Sequence, residues 1–149
     1  MEKKVEFVLK KDGTAQDVEL IIDEANNITN LEGLEFLTAD EIVKDILANR
    51  LPEYEQENLQ QMKKEDLIRL HFGIGMWIRN TYGLWLKPNP HTAQPKDMSD
   101  KDYAMSDIHP DQYSFAVIEK LYDRLMEIKN VYDSRYIKYK AFDDSMKDL

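Results

Sequence analysis

The sequence predicts a mainly α protein of the α+β class, a small helical bundle with an N-terminal β-hairpin and a long C-terminal helix. Three observations predict it. Apolar and polar residues alternate over residues 3–10 and again over 17–23, the period of a strand. Apolar residues recur at helical spacing through much of residues 38–82. From Ile118 to Met146 they step by three and four with a single polar interruption. With 149 residues, 42% of them apolar and 33% charged, the chain can bury one real core and reads as one domain.

Residues 1–37 form an acidic β-element. Val5, Phe7 and Leu9 share one face of the first strand, and Val18, Leu20 and Ile22 repeat the pattern after Lys11-Asp12-Gly13-Thr14, whose glycine accepts positive φ. A short helix over Asp17–Ala25 is the competing pattern. Two strands alone are marginal in water, so the hairpin is expected to pack on the helices. Asn26–Asn30 and the surroundings of Gly33 read as connectors.

A helical core follows over residues 38–86. Thr38-Ala39-Asp40-Glu41 is a capping-box pattern, in which the threonine oxygen accepts an amide and Glu41 reaches back. Ile42, Val43, Ile46 and Leu47 continue that helix to about Asn49. Pro52 suits the first turn of a second helix that turns Leu59 and Met62 inward. A central helix is predicted from about Lys64 to Tyr82. On a helical wheel Leu67, Leu70, Ile74, Trp77 and Ile78 make one stripe, with His71, Gly75 and Arg79 on its flank and Arg69, Met76 and Asn80 opposite. Gly73 and Gly75 each cost a helix about 0.8–1 kcal/mol relative to alanine, so close packing or a ligand must justify them. Gly83 reads as a C-cap.

Residues 87–108 read as a loop containing Pro88, Pro90 and Pro95. Asp97, Asp100, Asp102 and Asp107 crowd its second half without the ligand spacing of a calcium loop, so we expect a solvated acidic surface. His109-Pro110-Asp111 opens the last helix, residues 109–149. Its stripe is Ile118, Leu121, Leu125, Ile128, Tyr132, Arg135, Tyr139, Phe142 and Met146. Unbroken from 111 to 146, this helix would be about 54 Å long, more than the diameter of such a domain. Its second half must project or bend near Asn130-Val131. Tyr132, Arg135, Tyr139 and Phe142 are therefore interface candidates, to a second copy or another protein.

Composition narrows the function. The net charge is −9, and residues 1–50 carry 12 acids against 6 bases. That imbalance disfavours a nucleic-acid phosphate backbone and suits a partner with a basic surface. No apolar run approaches the roughly 18–20 residues of a membrane span, and the N-terminus carries no apolar leader core. The absence of cysteine excludes disulfides and thiolate chemistry and fits a cytoplasmic protein.

No catalytic motif is recognisable. His71, His91 and His109 lack paired ligand spacing, so no metal and no cofactor is expected. Gly73-x-Gly75 lacks the third glycine and the strand of a dinucleotide site. A nucleophilic serine would have to be Ser106 or Ser114, with no activating residue beside it in sequence. What remains is a polar set, His71, Arg79, Asn80, His109 and Asp111. An arginine on a largely buried helix needs an acidic partner or an anionic ligand. Asp111 can be that partner, which makes the set a clasp between two helices. The alternative is a small enzyme or anion sensor, with Arg79 and Asn80 holding the anion and a histidine as acid or base.

The run His71-Phe72-Gly73-x-Gly75-x-Trp77-Ile78-Arg79-Asn80, then Leu84-Trp85, then His109-Pro110-Asp111 resembles a family of uncharacterised bacterial and phage proteins. Its members carry HFGxGxWIRNxWxLW followed by HPD and a short helix. The resemblance covers about residues 59–127, and Tyr82 stands where the family pattern has tryptophan. It implies a compact helical unit in which the HFG…IRN helix faces the HPD helix, and it supplies no activity. A non-enzymatic inhibitor, immunity-type or adaptor module is the reading we carry forward.

Overall fold

A computed structural model of the chain describes residues 1–147, the side chains of 136–139 and 141–147 excepted. The predicted interface residues Tyr139 and Phe142 thus lie outside the described side chains. Strands β1 (Lys3–Lys11) and β2 (Thr14–Ile22) pair antiparallel, Lys3 opposite Ile22 and Lys11 opposite Thr14. The two-residue turn between them places Asp12 at φ 54° and Gly13 at φ 81°, the left-handed pair that matches strand twist. The helix alternative for residues 17–25 is thereby excluded. A third strand that the sequence did not announce, β3 (Leu34–Glu35), adds to the other edge of β1, giving the order β2-β1-β3.

The sheet is covered on both faces. Phe7, Leu9 and Leu20 pack with Phe36 under the connector that carries Leu31 and Leu34. Val8, on the opposite face, enters the main helical core. The pattern Val5-Phe7-Leu9 therefore marks the smaller core, and Val8, with Ala15 of β2, packs the hairpin against the helices. A two-residue strand follows too little sequence to show a period, which is why β3 went unseen.

Helix α1 (Ala39–Asp45) starts in the predicted capping box: Thr38 Oγ1 accepts the Glu41 amide at 3.3 Å and Glu41 Oε1 accepts the Thr38 amide at 3.1 Å. Lys10 Nζ donates to Glu41 Oε2 at 2.9 Å, and this bond with the Thr38 amide holds the Glu41 carboxyl below the usual carboxylate range. A wide turn at Ile46–Arg50 continues α1. Helix α2 (Glu53–Gln60) follows Pro52 and buries Leu59, with Met62 half-buried beside it.

The predicted single helix over 64–82 is corrected. The segment is a 3₁₀ stretch over Lys64–Leu70, a wide π-type turn over His71–Gly75, and a short α-helix, α3 (Met76–Thr81). Two glycines three and five residues after Leu70 leave the backbone free to change pitch. The change of pitch also breaks the stripe. Leu67 and Ile78 are fully buried, Leu70 and Ile74 are half-buried, and Trp77 turns outward with 39% of its surface exposed. Gly83 closes α3 at φ 64°, with the Leu84 amide donating back to the Arg79 carbonyl at 3.0 Å.

Residues 87–108 are more than a solvated loop. Helix α4 (Asp100–Ala104) forms there, capped by Ser99, while Asp97, Asp100, Asp102 and Asp107 are exposed as expected. Buried polar side chains fasten the strap: Asn89 Nδ2 donates to the Gly83 carbonyl at 3.2 Å, Thr92 Oγ1 donates to the Leu84 carbonyl at 2.8 Å, and Tyr103 donates to the Thr92 carbonyl. Helix α5 (Pro110–Lys147) is one unbroken helix of 38 residues, roughly 57 Å long. Ile118, Leu121 and Leu125 fill the core, whereas Ile128, Val131 and Tyr132 are exposed. No helix of the described residues is long and apolar enough to cross a membrane.

A buried carboxylate ties the hairpin to this body. Asp45, 3% exposed, accepts from Tyr82 Oη at 2.7 Å, Asn49 Nδ2 at 2.9 Å and Arg50 Nε at 3.1 Å. Arg50 in turn bridges to Asp17 of β2 at 2.9 Å. Burial first, and the Asp45 hydrogen bond second, push the Tyr82 phenol up. A raised folded-state pKa contributes stability below the unfolded value of about 10, and that contribution is lost as pH rises beyond it. Chemical unfolding between pH 8 and pH 11 should show stability falling above about pH 10. Tyr82→Phe should lower stability at neutral pH by about 1–2 kcal/mol and flatten the alkaline fall.

Candidate functional site

Four of the five predicted cluster residues come together at the junction of α3, the wide turn and the start of α5. Arg79 is the centre. A side chain on a helix leans toward its N-terminus, which carries the Arg79 guanidinium back over the wide turn. Only 4% of the residue is exposed. Nη2 donates to the His71 carbonyl at 3.1 Å, Nη1 donates to Ser114 Oγ at 2.9 Å and lies 3.5 Å from His71 Nδ1. Nε faces Asp111 Oδ1 at 3.7 Å. Asn80 is exposed and stands outside the set.

Gly75 makes this arrangement possible. A Cβ there would sit 3.0 Å from Arg79 Nη1 and 3.4 Å from the Leu70 carbonyl. A Cβ at Gly73 would meet nothing within 4 Å. The two glycines, alike on the helical wheel, thus differ: one is space reserved for a guanidinium, and the other is open.

Ser114 is the member that sequence reading placed elsewhere. It is fully buried and its hydroxyl is committed twice, accepting from Arg79 and donating to the Asp111 carbonyl at 3.0 Å. Its spacing, three residues after Asp111 and so on the same side of α5, is the signal that was available. A hydroxyl proton held by a carbonyl is not poised for nucleophilic attack.

The histidines have separate roles. His109 precedes α5, and its Nδ1 accepts the Asp111 amide at 3.1 Å, which makes the imidazole the N-terminal cap of the helix and puts the neutral ring's proton on Nε2. Its ring packs edge-on against Trp85 at 5.5 Å and tilted against Tyr103 at 5.0 Å. His91 Nε2 lies 3.2 Å from the Phe36 carbonyl, fastening the strap to the sheet. Among the described residues no three potential ligands converge on a metal position, and no buried side-chain nitrogen or oxygen lacks a hydrogen-bond partner. Of the interface candidates, Tyr132 and Arg135 are exposed on α5.

The model of one protein family, described as Domain of unknown function (DUF6794), matches residues 44–125. The match begins within α1, earlier than the motif resemblance does, and ends at Leu125, the last fully buried residue of α5 among those whose side chains are described. No curated protein and no solved structure matches the chain.

The glycine contrast is directly measurable. Gly75→Ala should destabilise the protein by about 1–3 kcal/mol, because a buried guanidinium must be displaced. Gly73→Ala should be neutral or stabilising by up to about 1 kcal/mol. Denaturant midpoints of the two variants decide the matter, and equal losses would refute the assignment of space to Arg79.

Proposed function

The chain belongs to the DUF6794 family, and we propose that it is a non-enzymatic protein-interaction module whose docking element is the distal half of α5. The observation that carries this reading is the split in the α5 stripe. Ile118, Leu121 and Leu125 are consumed by the core, while Ile128, Val131 and Tyr132 are 44%, 52% and 70% exposed on the same unbroken helix. A helix that keeps its amphipathic spacing after leaving its own core presents surface for another chain. The distal half also lies beyond the residues that the family model matches.

The alternative, an enzyme or anion sensor at Arg79, has no observation in its favour. Arg79 is 4% exposed and its guanidinium donates to a carbonyl and a hydroxyl of the chain itself, with the Asp111 carboxylate 3.7 Å from Nε, which supports an internal clasp over an open anion site. An inhibitor, immunity-type or adaptor protein working in the cytoplasm of a bacterium or of a phage-infected cell is the setting we propose. The acidic surface, net charge −9, and the absence of cysteine suit it.

Truncation after Lys129 tests the docking role. The shortened chain should keep the thermal midpoint of the intact protein within about 2 °C, since the removed residues whose side chains are described, 130–135 and Lys140, are exposed. Affinity capture from the native host should then recover a partner with the intact chain and lose it with the truncated one. An identical set of captured proteins from both chains would contradict the proposal.

A further inference from the structure

Glu127, Val131 and Arg135 stand at i, i+4 and i+8 on α5, one above another along a single face. Val131 lies midway between an acid and a base, all three exposed. Such a face is self-complementary. Two copies laid antiparallel about a two-fold axis through Val131 set each Arg135 on the partner's Glu127 and bring the two valines together. Parallel pairing would set glutamate on glutamate and arginine on arginine.

We propose that this face binds a second copy of the chain, as an antiparallel pair of α5 helices. The inference rests on the reading of distal α5 as a docking element and names its occupant. Two further observations favour a second copy. Residues 129–149 carry five bases and four acids in a chain of net charge −9, so the projecting helix escapes the acidic excess of the body and can approach the body of a second copy without like-charge repulsion. The docking face is also continuous with the body. Arg124 and Glu127 line both the apolar trough along Ile128, Val131 and Tyr132 and the groove between α1 and α5 floored by Val43 and Leu47. A helix seated on the trough runs on into that groove. Glu127 is now paired with Arg124 three residues away, an exposed pair at 3.0 Å, which is weak enough to exchange for an intermolecular partner.

Sedimentation velocity on the intact chain over a concentration series is the test. The expected species has twice the 17.6 kDa of one chain. R135E sets acid against the partner's acid and should weaken association at least about tenfold, and the charge-swapped E127R/R135E should recover most of it. Both variants carry their changes on exposed positions, and an unchanged far-ultraviolet circular dichroism spectrum verifies the fold. A wild-type chain that remains monomeric at about 1 mM overturns self-pairing, as does a dimer that ignores R135E or that the double swap fails to restore. A monomer leaves the docking role of α5 to be decided by the loss or retention of a foreign partner on truncation, so the two failures are distinguishable.

Discussion

A guanidinium buried in a small core must find a partner for its charge and its donors, and meeting that demand for Arg79 organises the middle of the protein. The partners come from two segments distant in sequence: the His71 carbonyl from the wide turn, and Ser114 with Asp111 from the first turns of α5. The turn must widen and Gly75 must lack a side chain for the guanidinium to lie where these groups converge. The same contacts fix the point at which α5 enters the body. That entry point sets which of its residues are core, and hence where the helix leaves the core again.

A second buried polar centre does for the hairpin what Arg79 does for α5. Asp45 gathers Tyr82, Asn49 and Arg50, and Arg50 extends the chain of contacts to β2. Arg79 and Tyr82 lie three residues apart at the end of one short helix, one turned toward α5 and the other toward α1. The short segment 76–82 is thus held from two sides by polar groups rather than by apolar packing alone, and satisfied networks of this kind favour one arrangement over its near alternatives. The cost is a segment of irregular pitch.

Much of this was legible in the residues. The hairpin, the Thr38 capping box, the Gly83 cap and the start of α5 all rest on local chemistry, and local chemistry is what a sequence displays. The association of His71, Arg79, His109 and Asp111 followed from one rule, that a buried charge needs an opposite one. Asp45 escaped because nothing local marks an aspartate as buried, and the spacing of Ser114 from Asp111 places it on one side of α5 without saying what that side meets. Their roles depend on which helix lies opposite, a tertiary fact. The helix over 64–82 was drawn too regular, since a wheel assumes one pitch and the glycines allow three. Trp77 accordingly turned outward against expectation, and Asn80 fell outside the cluster. The strap over 87–108 looked like a loop because Asn89, His91 and Thr92 hold it through carbonyls of residues that sequence pattern does not place beside it.

Division of labour is the functional consequence. On the proposed reading, the polar set that first suggests chemistry serves internal contacts, and recognition falls to the distal face of α5. The central claim, that Arg79 is a wholly internal clasp, is tested most directly by nuclear magnetic resonance of its guanidinium in the intact chain. Its Nε–H should exchange slowly with solvent, and neither its position nor its rate should move when phosphate or acetate is added. A saturable shift of the Arg79 resonance on anion addition would contradict the account and return the cluster to the status of a binding site.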